Sequence, residues 1–231
     1  GLAEACSFFD VPVVGGNVSL YNEHGDGAID PTPVVSMVGL IEQQEQVTRS
    51  QIEDSGLEII LLGGLPHELG GSYYLQTQFG KKEGKVPEVD LRHEMRLQNL
   101  LITQIEPGRI QAAHDLSEGG LLVGLSEILF CSDKIGAQIS ITSKEDVLRL
   151  DALLFGESQG RVLVAVTTPH LSEVEKVSNE SGIPFHYLGQ SDESGVLNLE
   201  VNNQKMMSIH VDELKTIWEK AIPLHMDAAT S

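Results

Sequence analysis

The chain has 231 residues, 41% of them hydrophobic and 21% charged, which is the composition of a folded globular protein with room for one large α/β domain or one domain plus part of another. Acidic residues outnumber basic ones, 34 to 15, for a net charge of -19; this excludes nucleic acid as a natural partner, because neutralising a phosphate backbone needs clustered Lys and Arg. Two cysteines cannot staple a chain of this length, and no apolar run is long enough to cross a membrane, so a cytoplasmic protein is expected.

Residues 1–9 read as the end of a helix, with Leu2, Ala5, Cys6 and Phe9 on one face and no capping residue before it, so the chain is expected to be a fragment. Residues 12–14 read as a short strand, broken by Gly15-Gly16-Asn17 and followed by an extended stretch over 18–21. A turn-rich loop is expected over 22–33, then a strand over 34–41 that pairs with the first. The polar stretch 42–54 has no strong period and marks a domain boundary, dividing the chain into 1–45 and 46–231.

Beyond it, strands and helices alternate, which predicts an α/β layered fold with a mixed sheet and flanking helices. Strands are expected over 57–62, 110–113, 136–142 and 161–167. Helices are expected over 91–105 (ended by Glu106-Pro107-Gly108), 118–130 and 169–180, the last capped by Gly182. Ser143 and Asp146 resemble a capping box opening a helix over 145–154. Segments 184–188 and 196–201 flank Ser194-Gly195 and read as a terminal hairpin; a helix over 212–221 carries Trp218, and 227–231 read as a frayed tail. Cys131 follows an apolar helical run and reads as a small core residue.

Three polar, glycine-bearing segments beside apolar strands invite a chemical reading. In Gly15-Gly16-Asn17-Val18-Ser19, adjacent glycines let backbone amides approach phosphate oxygens, and the Asn17 carbonyl and Ser19 hydroxyl suit a hard cation such as magnesium. A plain tight turn explains the same spacing. In His114-Asp115-Leu116-Ser117-Glu118-Gly119-Gly120-Leu121, polar residues lie between a strand end and a helix start, a natural anion or metal-phosphate site; capping by Ser117 and Glu118 is the simpler alternative. Gly156-Glu157-Ser158-Gln159-Gly160 matches the G-x-S-x-G of a hydrolase elbow, but that elbow needs a strand before and a helix after, and here the order is reversed. Glu157, Ser158 and Gln159 remain a ligand-facing turn. Gly80-Lys81-Lys82-Glu83-Gly84-Lys85 imitates a P-loop one residue short and is a surface loop, and no His or Cys spacing fits zinc.

Taken in order, residues 12–23, Pro31-Thr32-Pro33-Val34-Val35, Leu69-Gly70-Gly71-Ser72, residues 114–121 and Phe155-Gly156-Glu157-Ser158-Gln159-Gly160-Arg161 resemble the C-terminal portion of the synthetase chains of the phosphoribosylformylglycinamidine synthase family, within the aminoimidazole ribonucleotide synthetase superfamily. The resemblance spans nearly the whole chain. It implies a C-terminal-type domain over 46–231 preceded by the tail of a second N-terminal-type, ATP-binding domain. It further implies an ATP- and Mg2+-dependent ligase of purine biosynthesis that replaces the amide oxygen of formylglycinamide ribonucleotide with glutamine-derived ammonia. By position, Gly16 matches an ATP-contacting glycine, Asn17 a magnesium ligand and Ser19 a substrate contact. His114, Asp115, Glu157, Ser158 and Gln159 match an auxiliary nucleotide site, retained or degenerate, and no catalytic residue is expected in this chain, which by itself is expected to be inactive. Implied partners are the N-terminal half of the same polypeptide, a glutamine amidotransferase subunit and a small bridging subunit. A non-catalytic scaffold that docks these partners, or a relative such as selenophosphate synthetase or a hydrogenase-maturation factor, are the alternatives.

Overall fold

The computed structural model describes residues 1–25, 27–142 and 149–229, and the chain divides into two units, Gly1–Glu45 and Gln46–Ser231. In the first unit, helix α1 (Leu2–Phe8) is followed by an irregular chain and a two-strand ladder of β1 (Glu23–His24) and β2 (Gly27–Ala28), paired Glu23↔Ala28 and His24↔Gly27. The expected strands over 12–14 and 34–41 do not form. The reason is physical: a strand needs a partner and an apolar face needs cover, and a unit this small supplies neither. Val14, Leu20, Val34, Val38 and Leu40 are all at least 86% exposed, and no described residue of this unit is buried.

The second unit is built on a seven-stranded sheet. Its strands are β3 (Glu58–Leu62), β4 (Ile110–Asp115), β5 (Gly136–Ile141), β6 (Val162–Val166), β7 (Phe185–Asp192), β8 (Val196–Val201) and β9 (Gln204–His210), in the order β4-β6-β3-β7-β5-β8-β9. All neighbours are antiparallel except β5 and β8, so the sheet is mixed, as expected. The helices are α2 (Tyr73–Phe79), α3 (Leu91–Ile105), α4 (Gly120–Glu127), α5 (Leu150–Phe155), α6 (Thr168–Ser181) and α7 (Val211–Ala229).

Residues of β3 alternate between two hydrophobic cores. Ile59 and Leu61 pack with Leu121, Leu125, Ile128, Leu129 and Leu153, whereas Ile60 and Leu62 pack with Leu97, Leu100 and Val174. Helices α4 and α5 therefore cover one face and α3 and α6 the other, which is why β3 reads as an unbroken apolar run. Strand β5 is covered on one face only: Ala137, Ile139 and Ile141 are buried, and Gln138 and Ser140 are exposed. Gly182 ends α6 with φ 66° as expected.

The expected hairpin of 184–188 with 196–201 is not present. Strand β5 lies between β7 and β8, and the hairpin is instead β8 with β9 across Asn202-Asn203, both at positive φ (51° and 62°). Two consecutive left-handed residues are the requirement of a type I′ turn, so Asn-Asn was the signal for a strand that the apolar pattern did not show. Helix α2 also lacks strong periodicity; Ser72 caps it, accepting from Leu75 N at 3.4 Å, and Gly80 closes it. Cys131 is exposed rather than in the core, because α4 has already ended and Phe130 takes the inward position. Helix α7 runs on to Ala229, through Pro223, where a frayed tail was expected from residue 227. The Ser143–Asp146 capping box lies outside the described residues, and the helix expected over 145–154 is described from Leu150 to Phe155. Among the described residues, no helix is long and apolar enough to cross a membrane.

Candidate functional site

The loop over residues 11–23 is an open turn. Alanine-like side chains at Gly15 and Gly16 would meet nothing within 4 Å, so the backbone there is free to be approached. Ser19 Oγ donates to Tyr21 O at 3.2 Å, Asn22 Nδ2 donates to Ser19 O at 2.8 Å, and Asn17 is exposed. Gly16, Asn17 and Ser19 thus lie close in sequence on an exposed turn. Asn17 and Ser19 are neutral oxygen donors of the kind that suits magnesium, which also needs carboxylates or phosphates to complete its shell. Among the described residues, no group of three or more His, Cys, Asp or Glu side chains is placed to hold a metal, so these donors fit a magnesium–phosphate as contributors and not as a complete site.

In the second unit, the two later motifs meet at one end of the sheet. Strand β4 delivers His114 and Asp115 to its end, and β6 pairs with it antiparallel, Asp115↔Val162, so that the Gly156–Gly160 turn before β6 comes beside the 116–119 turn after β4. Leu116 N donates to Arg161 O at 3.0 Å and fixes this approach. The contact is made possible by glycine: a Cβ on Gly120 (φ 66°) would lie 2.6 Å from Gly156 O and 2.8 Å from Phe155 C. Gly120 thus serves the close packing of α4 on the turn that follows α5.

Glu157 is the hinge of the arrangement. Its Oε1 accepts from Gly119 N at 2.8 Å and from Tyr73 N at 2.9 Å, tying the starts of α4 and α2 together. Ser117 and Glu118 do not cap α4: the N-cap is Gly119, without a side-chain cap bond, and Glu157 reaches in from another segment. Behind the turn, Arg161 is 2% exposed; its Nε donates to Ser158 O at 2.8 Å and its Nη2 to Gly156 O at 2.6 Å. Burial disfavours the charged guanidinium and brings its pKa down to about 10, a shift that the nearby Glu157 charge opposes. Nη1 is buried with no hydrogen-bond partner among the described residues. Gln159 Nε2 donates back to Glu157 O at 3.3 Å, and a ring nitrogen of His93 pairs with Gly160 O at 3.0 Å.

His114 points elsewhere: its Nε2 lies 3.1 Å from Glu127 Oε2 at the far end of α4, both partly buried. Asp115 is exposed. The structure therefore brings Glu157 onto the 117–120 turn, leaves Ser158 and Gln159 with partners in their own segment, and uses His114 in a pair with α4. Sequence reasoning did not single out Arg161 or Glu127, although a charged residue opening an apolar strand (Arg161-Val162-Leu163) is a visible signal. It also missed a cleft of about 420 Å³ lined by Tyr73, Tyr74, Thr77, Gln78, Gly119, Val123 and Phe155, in which the Tyr74 and Phe155 rings stack at 4.7 Å. The helix–turn–strand order around Ser158, α5 then β6, excludes a nucleophile elbow.

Residues 54–202 match the family described as AIR synthase related protein, C-terminal domain. The chain is 39% identical over 228 residues to the phosphoribosylformylglycinamidine synthase subunit PurL of Alkaliphilus metalliredigens, covering 99% of this chain and 30% of that protein. It is 40% identical over 227 residues to the subunit of the same name from Thermoanaerobacter sp., covering 98% and 30%. The chain thus spans about 30% of the length of the curated relatives it matches. Among solved structures, Thermotoga maritima PurL complexed with FGAR superposes with a TM-score of 0.64 at 21% identity, covering 74% of this chain and 30% of that one. The fold is shared.

Proposed function

Because the chain belongs to the AIR synthase related family, with that family's C-terminal domain over residues 54–202, we propose that it is part of an ATP-dependent C–N ligase, the synthetase chain of phosphoribosylformylglycinamidine synthase. The observation that carries this reading is alignment along 98–99% of the chain, at 39–40% identity, with subunits of that name. Residues 1–45 are then the tail of a second N-terminal-type domain, and 46–231 the second C-terminal-type domain. The exposed apolar stretches around Val13, Val14, Val34 and Val38 support this, since such strands are stable only when a larger sheet receives them.

In the whole enzyme, ATP phosphorylates the amide oxygen of formylglycinamide ribonucleotide. Ammonia, supplied from glutamine by an amidotransferase subunit, then adds to the amide carbon that bears this oxygen, and the C–O bond breaks as phosphate leaves with the former amide oxygen; the products are the amidine, ADP and phosphate. Gly16 offers its backbone to ATP, Asn17 its carbonyl to Mg2+, and Ser19 its hydroxyl to the substrate. The acids and bases of the reaction lie in the remaining part of the polypeptide, so this chain alone is inactive. It works in the cytoplasm, joined to that part and, through it, to the amidotransferase and a small bridging subunit.

A second reading makes the 46–231 domain a scaffold without nucleotide chemistry of its own, and one observation favours it: the amides of Tyr73 and Gly119 are already satisfied by Glu157. Mixing the purified chain with the complementary part of the polypeptide and adding ATP, Mg2+, substrate and ammonia tests the ligase. ADP should form only when both parts are present; no ADP from the mixture, against a working full-length control, rejects it.

A further inference from the structure

We propose that residues 70–85 form a flap that swings as one body on a glycine neck, and that the Glu157 carboxylate is the clasp holding it closed beside the cleft of about 420 Å³. The flap is closed in this structure.

The segment is a loop closed on itself. Gly71 N donates to Glu83 O at 2.9 Å, a Cβ on Gly70 would run into the Lys85 carbonyl, and one on Gly84 would stand 2.7 Å from Gly70 Cα. Its two ends thus touch through glycines, as in a compact Ω-loop. Within it, Gly80 N donates to Gln76 O at 2.9 Å to end α2. These internal bonds survive when the loop moves as a unit. The chain on either side is pinned. Before the flap, Pro66 and Glu68 lie so close to Gly156 that a Cβ there would stand 2.6 Å from Pro66 Cβ and 2.8 Å from Glu68 O. After it, Asp90 caps α3 with bonds from Arg92 N and His93 N. Between the pinned and moving parts lie Gly70, Gly71 (φ 70°) and Gly84 (φ 94°), where a hinge has to absorb backbone rotation.

The hold of the flap on the body is shallow. No residue of α2 is buried, and Tyr73 and Phe79 are more than half exposed. A segment that buries so little apolar surface opens at a lower free energy than the core. It meets the body through the Tyr74 ring, stacked on Phe155 at 4.7 Å, and through Tyr73 N, which donates to Glu157 Oε1 at 2.9 Å. The same oxygen accepts from Gly119 N at 2.8 Å, so one carboxylate ties the flap to the start of α4. The cleft is lined from the flap by residues that include Tyr73 and Thr77, and from the body by Gly119, Val123 and Phe155. Its width therefore follows the flap.

The test is native-state hydrogen exchange of the 231-residue chain, resolved by residue with NMR and compared with Tyr74→Ala. Swinging the flap breaks the bonds of Tyr73 and Gly119 to Glu157 and leaves that of Gly71 to Glu83 intact. The Tyr73 and Gly119 amides should thus be at least about tenfold less protected than the Gly71 amide and the amides of β3. Tyr74→Ala removes the ring stack and should lower protection at Tyr73 and Gly119 by roughly three- to tenfold, with Gly71 unchanged. Tyr74→Leu, apolar but without a ring, should act in the same direction and replaces alanine if that variant folds poorly. Unchanged protection at Tyr73 and Gly119 in both variants overturns the proposal, because rotation of the Glu157 side chain alone would then break the clasp. Loss of protection at Gly71 together with the other two overturns it as well, since the loop would be unfolding and not swinging. So does protection at Tyr73 and Gly119 equal to that of β3. The ligase reading is judged separately by ADP formation in the reassembled enzyme, so either can fail alone.

Discussion

Replacing Gly120 with alanine separates packing from mere backbone conformation at the junction of the two motifs. Gly120 sits at φ 66°, and a Cβ there would stand 2.6 Å from Gly156 O and 2.8 Å from Phe155 C, both backbone atoms that cannot swing aside. Gly56 is the control: its φ is 79°, yet an added Cβ meets nothing within 4 Å. Placing an L-residue in the left-handed region costs about 1–2 kcal/mol, of which the stiffer unfolded chain returns about half. Gly56→Ala should therefore destabilise by about 1 kcal/mol. Gly120→Ala adds the cost of overpacking, about 1–3 kcal/mol, for a total of about 2–4 kcal/mol. Urea unfolding followed by circular dichroism reads both, with an unchanged slope as the condition for comparing midpoints. In Gly120→Ala the displaced Gly156 carbonyl should also disturb Glu157 and speed hydrogen exchange at Tyr73 and Gly119. Equal destabilisation by the two substitutions would refute the claim that Gly120 is required for close packing.

Leu125→Ala, at a residue of no exposure in the core beneath α4, should cost about 2–5 kcal/mol in the same unfolding assay. Ser72→Ala removes the cap of α2, whose hydroxyl also donates to Leu69 O at 2.6 Å, and should cost about 1 kcal/mol in that assay. Partial burial of Tyr187, and the bond its hydroxyl donates to the buried Glu58 at 2.8 Å, push its pKa up to about 12 from 10. Its proton is held more tightly in the folded state, so its contribution is complete below pH 10 and is lost as pH rises from there through about 12. Tyr187→Phe should remove the latest-titrating phase of phenolate absorbance and flatten the loss of stability over that window.

The strands and helices of the second unit were legible where hydrophobic period and punctuation agreed. Helix α3 runs over the expected residues because Asp90 caps it, accepting from Arg92 N and His93 N, and Glu106-Pro107-Gly108 follows it. Strand β9 was not legible, since its burial alternates only weakly on an edge of the sheet and its marker was the Asn202-Asn203 turn. Strand order was not legible either: β5 between β7 and β8 is a long-range pairing that local pattern does not encode. In the second unit, the motifs named two segments that the fold brings side by side but not the partners of their side chains. Glu157 bonds to amides, which have no residue identity, and His114 finds Glu127 through the geometry of α4. For the loop at Gly16, Asn17 and Ser19 only the resemblance to a family suggests a role, because an exposed turn of that composition has no distinguishing local physics.

The most direct test of the ligase account is the rate of amidine formation by the full-length enzyme with Asn17 and Ser19 both changed to alanine, at saturating ATP, Mg2+, substrate and ammonia. If Asn17 holds the metal and Ser19 the substrate, as proposed, the rate should fall at least about 100-fold while the melting temperature stays within a few degrees. An unchanged rate in the folded double variant would contradict the assignment of this loop to the nucleotide site.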